Sequence, residues 1–108
     1  MTVNALIEKY ELTPLSLPDG DREVKGCYIG DLLSWVMGRA QADNAWITIM
    51  SNINIAAVAA LSDVSLVILA EDVTPDENVL TTAQAKNVNI ARNCLPAFEA
   101  AVKISCDI

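Results

Sequence analysis

The sequence predicts an α/β fold: one domain, residues 1 to 108, with a mostly parallel sheet of four or five strands and helices packed on its faces. Three observations carry that expectation. From residue 45 onward, β-rich apolar runs alternate with helical patterns in the order strand, helix, strand, helix, strand, helix, and such alternation favours right-handed crossovers between parallel strands. The run Val64-Ser-Leu-Val-Ile-Leu-Ala70 is apolar on both faces, as the middle strand of a parallel sheet must be. A chain of 108 residues that is 53% hydrophobic can bury roughly two-thirds of its unfolded surface, enough for one core without disulfides or metal.

The elements follow in order. Thr2 caps a short helix to Tyr10, with Val3, Leu6, Ile7 and Tyr10 at helical spacing. Leu12 to Leu17 is an extended piece interrupted by Pro14 and closed by the turn Pro18-Asp19-Gly20. Glu23 to Ile29 alternates as a strand does, and Gly30-Asp31 ends it. Asp31 is positioned to cap a helix through Arg39 whose Leu32, Leu33, Trp35, Val36 and Met37 form a broad apolar stripe, read as sheet-facing core or as a partner groove. Ala45 to Ile49 is a strand, and Ser51-Asn52-Ile-Asn54 opens an alanine-rich helix to about Leu61. Thr74-Pro75-Asp76-Glu77 has the residues of a capping box with proline at the first helical position, starting a helix to about Lys86. A short strand from Val88 to Ala91 and an amphipathic helix from Pro96 to Ile104 complete the chain. The strands of the first half are free to pair antiparallel at an edge.

Composition excludes several functions. Fourteen acidic against 7 basic residues give a net charge of -7, a field that repels phosphate backbones and anionic lipid, so neither nucleic acid nor a membrane surface is expected as a partner. The absence of histidine removes the commonest general base and metal ligand. Glu8 and Lys9 break the apolar stretch a signal peptide would need, so the N-terminus reads as mature, cytoplasmic sequence. Residues Asn44 to Ser62 carry no charge, but Thr48, Ser51, Asn52 and Asn54 at their centre argue against a bilayer span. Cys27, Cys94 and Cys106 are odd in number and form no CxxC, so they are expected as buried or semi-buried free thiols, with Cys106 exposed.

In an open parallel sheet, ligands gather beyond the carboxyl ends of the strands. That rule selects Ser51, Asn52 and Asn54 after the first central strand, Glu71 and Asp72 after the second, and Arg92 and Asn93 after the third. These seven residues are the candidate binding site for a small anionic or polar ligand, with Ser51 and Asn54 alternatively serving as helix caps. Glu71 and Asp72 could act as a carboxylate pair or face solvent as an ordinary loop. Asp19-Gly-Asp21-Arg-Glu23 starts like a calcium loop but lacks its remaining ligands. No GxxxxGK[ST], GxGxxG or nucleophile elbow is present. Catalytic residues, metals and cofactors are therefore not expected.

Taken together, Val24-Lys-Gly-Cys-Tyr-Ile-Gly-Asp-Leu-Leu-Ser-Trp-Val-Met-Gly-Arg-Ala40, Ala45-Trp-Ile-Thr-Ile, Asn54-Ile-Ala-Ala-Val-Ala and Leu95-Pro-Ala-Phe-Glu-Ala-Ala resemble stand-alone DRTGG-domain proteins of anaerobic bacteria. Relatives of that family include the N-terminal domain of HPr kinase/phosphorylase and the middle domain of some phosphotransacetylases. The resemblance spans about residues 3 to 104. It implies an α/β domain that accompanies catalytic or CBS regulatory domains and has no established activity of its own. Ile47-Thr48 matches the family's Ile-Thr strand. Met50-Ser51-Asn52 stands in place of its Gly-Asp-Arg turn, and Ala70-Glu71-Asp72 in place of Thr-Gly-Gly, so the scaffold is kept while the signature is lost. A kinase role is not implied, because nothing here can cradle nucleotide phosphates.

The expected function is thus a non-enzymatic regulatory or protein-interaction domain, a homodimer acting on a separately encoded protein partner. The alternative is a sensor of a small anionic or nucleotide-like ligand at the strand-end loops.

Overall fold

The computed structural model describes residues 1–108. Its elements are α1 (Val3–Lys9), β1 (Thr13–Ser16), β2 (Cys27–Ile29), α2 (Leu33–Arg39), β3 (Ala45–Thr48), α3 (Asn54–Ser62), β4 (Leu66–Leu69), α4 (Glu77–Ala85), β5 (Ile90–Arg92) and α5 (Ala97–Ile104), followed by a 3-10 turn at Ser105–Asp107. The five strands form one sheet in the order β1-β5-β4-β3-β2. β2, β3, β4 and β5 run parallel, and β1 pairs antiparallel with β5 at one edge. This is the mostly parallel α/β sheet that the alternating pattern predicts.

β3 and β4 are buried at every position, in register from Ala45 opposite Leu66 to Thr48 opposite Leu69. Because side chains alternate across a strand, the sheet feeds two cores. Trp46, Val67, Leu69 and Ile90 pack with Val36 of α2, Ile55 and Ala56 of α3, and Val79 and Ala83 of α4. Ala45, Ile47, Leu66, Ile68 and Ala91 pack on the other face with Val3 and Leu6 of α1 and Ala100 and Ile104 of α5. The alanines of α3 let that helix approach the sheet closely. Buried polar groups are paired, as burial demands. The Asn89 amide donates to the Asp19 carbonyl at 2.8 Å and the Ser65 carbonyl at 2.9 Å, and its oxygen accepts from the Asp19 N–H. That clamp fixes the Pro18-Asp19-Gly20 turn. Gly26, at φ +78°, makes the left-handed turn into β2 that few other residues adopt.

Several local expectations are corrected. Thr2 does cap α1, its Oγ1 accepting from the Ala5 N–H at 3.1 Å. Asp31 does not cap α2: its Oδ1 accepts from the buried Thr48 hydroxyl at 2.8 Å and the Ile49 N–H at 3.0 Å, two donors at the open sheet end that need an acceptor more. The strand foreseen over residues 23 to 29 is ordered only at Cys27–Ile29, with Glu23 in an isolated bridge to Thr2. Ser51 and Asn54 do not cap α3. Asn52 Oδ1 instead accepts from the Asn54 N–H at 2.9 Å. The Thr74-Pro75-Asp76-Glu77 box does not form, because Arg92 engages the Thr74 hydroxyl at 2.7 Å and α4 starts at Glu77. A charge-assisted bond outcompetes a cap.

The apolar stripe of α2 is sheet-facing core only in part: Val36 joins the core and Leu33 packs half-buried against it. Only Val36 is buried, while Leu32, Trp35 and Met37 are 60%, 54% and 47% exposed. A seven-residue helix over the sheet's edge has too little sheet beneath it to cover more than one row. The cysteines likewise sit on peripheral segments, and Cys27 and Cys94 are exposed along with Cys106.

Candidate functional site

The strand ends supply the loops predicted to bind, and the structure divides them into two groups. Asp72, Arg92 and Asn93 line one cavity of about 210 Å3, together with Tyr10, Glu11, Thr13, Cys94, Leu95 and Lys103. Ser51, Asn52, Asn54 and Glu71 line no cavity. The seven residues therefore do not form one site. Tyr10, Glu11, Thr13 and Lys103 were not singled out from sequence. Tyr10, Glu11 and Thr13 enter because β1 runs antiparallel beside β5, setting Thr13 opposite Arg92; Lys103 comes from α5.

Within the cavity the loops brace one another. Arg92 Nη1 donates to Thr74 Oγ1 at 2.7 Å. Arg92 Nε lies 3.6 Å from Asp72 Oδ1, buried and without a hydrogen-bond acceptor. An ion pair that long, on a side chain mostly exposed at Asp72, contributes little to stability. The Asp72 N–H donates to the Asn93 carbonyl at 2.9 Å and the Glu71 N–H to the Leu95 carbonyl at 3.0 Å. Asn93 Oδ1 accepts from the Leu95 N–H at 2.9 Å. Arg92 and Lys103 bring positive charge; Glu11 and Asp72 share the same cavity and offset it. Such a mixed lining suits a small singly charged group better than a polyphosphate.

Glu71 and Asp72 both adopt the left-handed conformation, each at φ 58°. That backbone is one glycine enters readily and other residues at a cost of roughly 1–2 kcal/mol. Their side chains are exposed and make no hydrogen bond to each other. Acid/base work by this pair has no structural support. No group of three or more Cys, Asp or Glu side chains is arranged to hold a metal.

The remaining hollows lie elsewhere. An open depression of about 550 Å3 along α4 is larger, but its lining of Glu77, Leu80, Thr81, Gln84 and Ala85 comes from a single helix and brings no groups together. A third, of about 120 Å3, lies where Arg22 pairs with Asp63, beside Lys86 and Asn87. Near the C-terminus Asp107 accepts from Lys9 at 2.7 Å and from the Tyr10 hydroxyl. These bonds hold the Asp107 carboxyl below its usual range, and the same carboxylate raises Tyr10 and Lys9. The cluster ties α1 to the end of α5. Although Cys27 is exposed as a residue, its sulfur is partly desolvated, which pushes the thiol up to about 11, away from the thiolate a nucleophile needs.

No family model matches the chain, and no curated protein matches it in sequence. Among solved structures, the fold is shared with the CBS and DRTGG domains of the regulatory region of Clostridium perfringens pyrophosphatase, determined in complex with its activator, diadenosine tetraphosphate. The similarity has a TM-score of 0.73 at 13% identity and covers 94% of this chain and 44% of that one. This chain thus has the fold found in a regulatory region and spans less than half of that chain's length. No helix is long and apolar enough to cross a membrane.

Proposed function

We propose that this protein is a cytoplasmic, non-enzymatic regulatory domain of the DRTGG type, acting as a homodimer on a separately encoded protein partner. The observation that carries the reading is the shared fold across 94% of the chain with a region whose role is to regulate an enzyme. The eroded signature fits the same picture: Glu71 and Asp72 keep a glycine-type backbone at the Thr-Gly-Gly position while replacing its side chains.

A second reading, a sensor of a small anion, is favoured by the Arg92 cavity. At about 210 Å3 it is below the range usual for drug-sized ligands, so it suits a single phosphate or carboxylate group rather than a dinucleotide. Arg92, Asn93, Lys103 and Thr13 would hold that group. Ser51, Asn52, Asn54 and Glu71 would then act only through the loops they belong to.

One preparation tests both. The full chain is added to the enzyme that co-purifies with it, with and without inorganic phosphate. Regulation changes that enzyme's affinity for its substrate by about five- to 150-fold; no change overturns the first reading. Phosphate stabilises the wild type and the Ser51→Ala/Asn52→Ala variant against heat but not Arg92→Ala/Lys103→Ala. Equal melting of all three with and without phosphate overturns the second.

A further inference from the structure

We infer that the sheet edge at β2, flanked by α2 and the β3–α3 loop, is where a second copy of this chain docks, edge strand against edge strand. The inference rests on the homodimer reading above and assigns its surface.

β2 is the outer strand on its side of the sheet. The Ala45 N–H donates to the Gly26 carbonyl and the Gly30 N–H to the Ile47 carbonyl, so the even positions face β3. By the alternation of a parallel ladder, the backbone groups of Cys27 and Ile29 point away from the sheet. An unpaired row of N–H and C=O groups is a template for another strand. The opposite edge is managed differently: β1 carries Pro14 and a register irregularity between Pro14 and Ser16, both of which blunt an edge. Cys27-Tyr28-Ile29 has neither proline nor irregularity and no charge, although its three residues keep the open edge short.

The side chains around this edge are apolar and open. Ile29, Leu32, Trp35, Met37, Ile49 and Ile53 are each 45% to 60% exposed, and they flank the edge from both sides of the sheet: Ile29 pairs with Ile47 on the α1/α5 side, while α2 lies on the side of Tyr28 and Trp46. Asp31 ties the segments together by binding the Ile49 N–H. Six large side chains at half exposure present on the order of 600 Å2, close to the roughly 800 Å2 per partner that a standard interface buries. Charge selects the occupant. The chain carries -7 overall, yet from Gly26 to Gly38 the only carboxylate is Asp31, and from Asn44 to Ser62 there is no charge at all. Two copies meeting here place their excess negative charge away from the contact. The Arg39 guanidinium, stacked 3.9 Å over the Trp35 ring, brings a cation to the patch, and a two-fold axis makes the apolar surface around it complementary to itself. The other exposed apolar pair, Phe98 and Val102 on α5, is interleaved with Glu99 and Lys103 and borders no free strand edge.

Sedimentation velocity of the full chain from low to high micromolar concentration tests the assignment, with circular dichroism checking that each variant is folded. The wild type sediments at twice 11.6 kDa. Leu32→Glu/Trp35→Glu weakens the dimer at least about thirtyfold, as does Ile29→Lys on the strand itself. Phe98→Glu/Val102→Glu leaves it intact. A wild type that stays monomeric overturns the homodimer reading and the surface together. A dimer that survives both Leu32→Glu/Trp35→Glu and Ile29→Lys, or that is lost in Phe98→Glu/Val102→Glu, overturns the surface alone.

Discussion

The carboxyl end of the sheet has two halves of opposite character. Around β4 and β5 the loops are polar and tied to one another: Arg92 holds Thr74 and faces the Asp72 carboxylate, Asn93 holds Asp72 and Leu95, and the Glu71 side chain is exposed. Around β2 and β3 the same end is apolar, with Ile29, Leu32, Trp35, Ile49 and Ile53 uncovered. In the first half, loop groups satisfy one another and leave a small cavity. In the second, the buried groups are anchored inward, Thr48 to Asp31 and the Trp46 indole N–H to the Gly30 carbonyl at 2.9 Å, while the surface is left for another molecule. On the proposed reading, one fold separates a place for a small polar group from a place for protein.

The largest effect that breaks this contrast comes from Trp46. It is fully buried in the core beneath α2 and α3, and its indole N–H fixes the end of β2. Trp46→Ala costs about 3–5 kcal/mol, read from the denaturant midpoint, and loosens the apolar half first. The polar half responds in the other direction. Glu71→Gly removes a side chain from a left-handed backbone and raises stability by about 0.5–1 kcal/mol, the left-handed penalty less the added unfolded-chain entropy of glycine. A loss of stability there would mean that Glu71 makes a contact the exposed loop does not show.

Much of this architecture is legible in the residues. The uncharged apolar runs at 45–49 and 64–70 can only be buried strands, and Asn54 to Ser62, rich in alanine, suits a helix packed closely on them. Strand order is not legible, because nothing in Thr13-Pro-Leu-Ser16 says that it pairs with Ile90–Arg92. That is why Tyr10, Glu11 and Thr13 escape a reading confined to loops after parallel strands, and why Ser51 and Asn52 looked equivalent to Arg92. Periodicity also fails at α2. Leu32, Trp35 and Met37 have the spacing of core residues, but a helix at the margin of a five-stranded sheet has solvent where a wider sheet would lie. The capping signals failed for a local reason: Asp31 and Thr74 had stronger partners across the fold than along their own chain.

The central claim is that β2 is an edge kept open for a second copy, and hydrogen exchange of the full chain at low and high micromolar concentration tests it most directly. The Cys27 and Ile29 amides should exchange at least about tenfold more slowly at the high concentration, as strand pairing protects them, while the amides of Thr13, Leu15 and Ser16 keep one rate. Exchange at Cys27 and Ile29 that is independent of concentration would contradict the account.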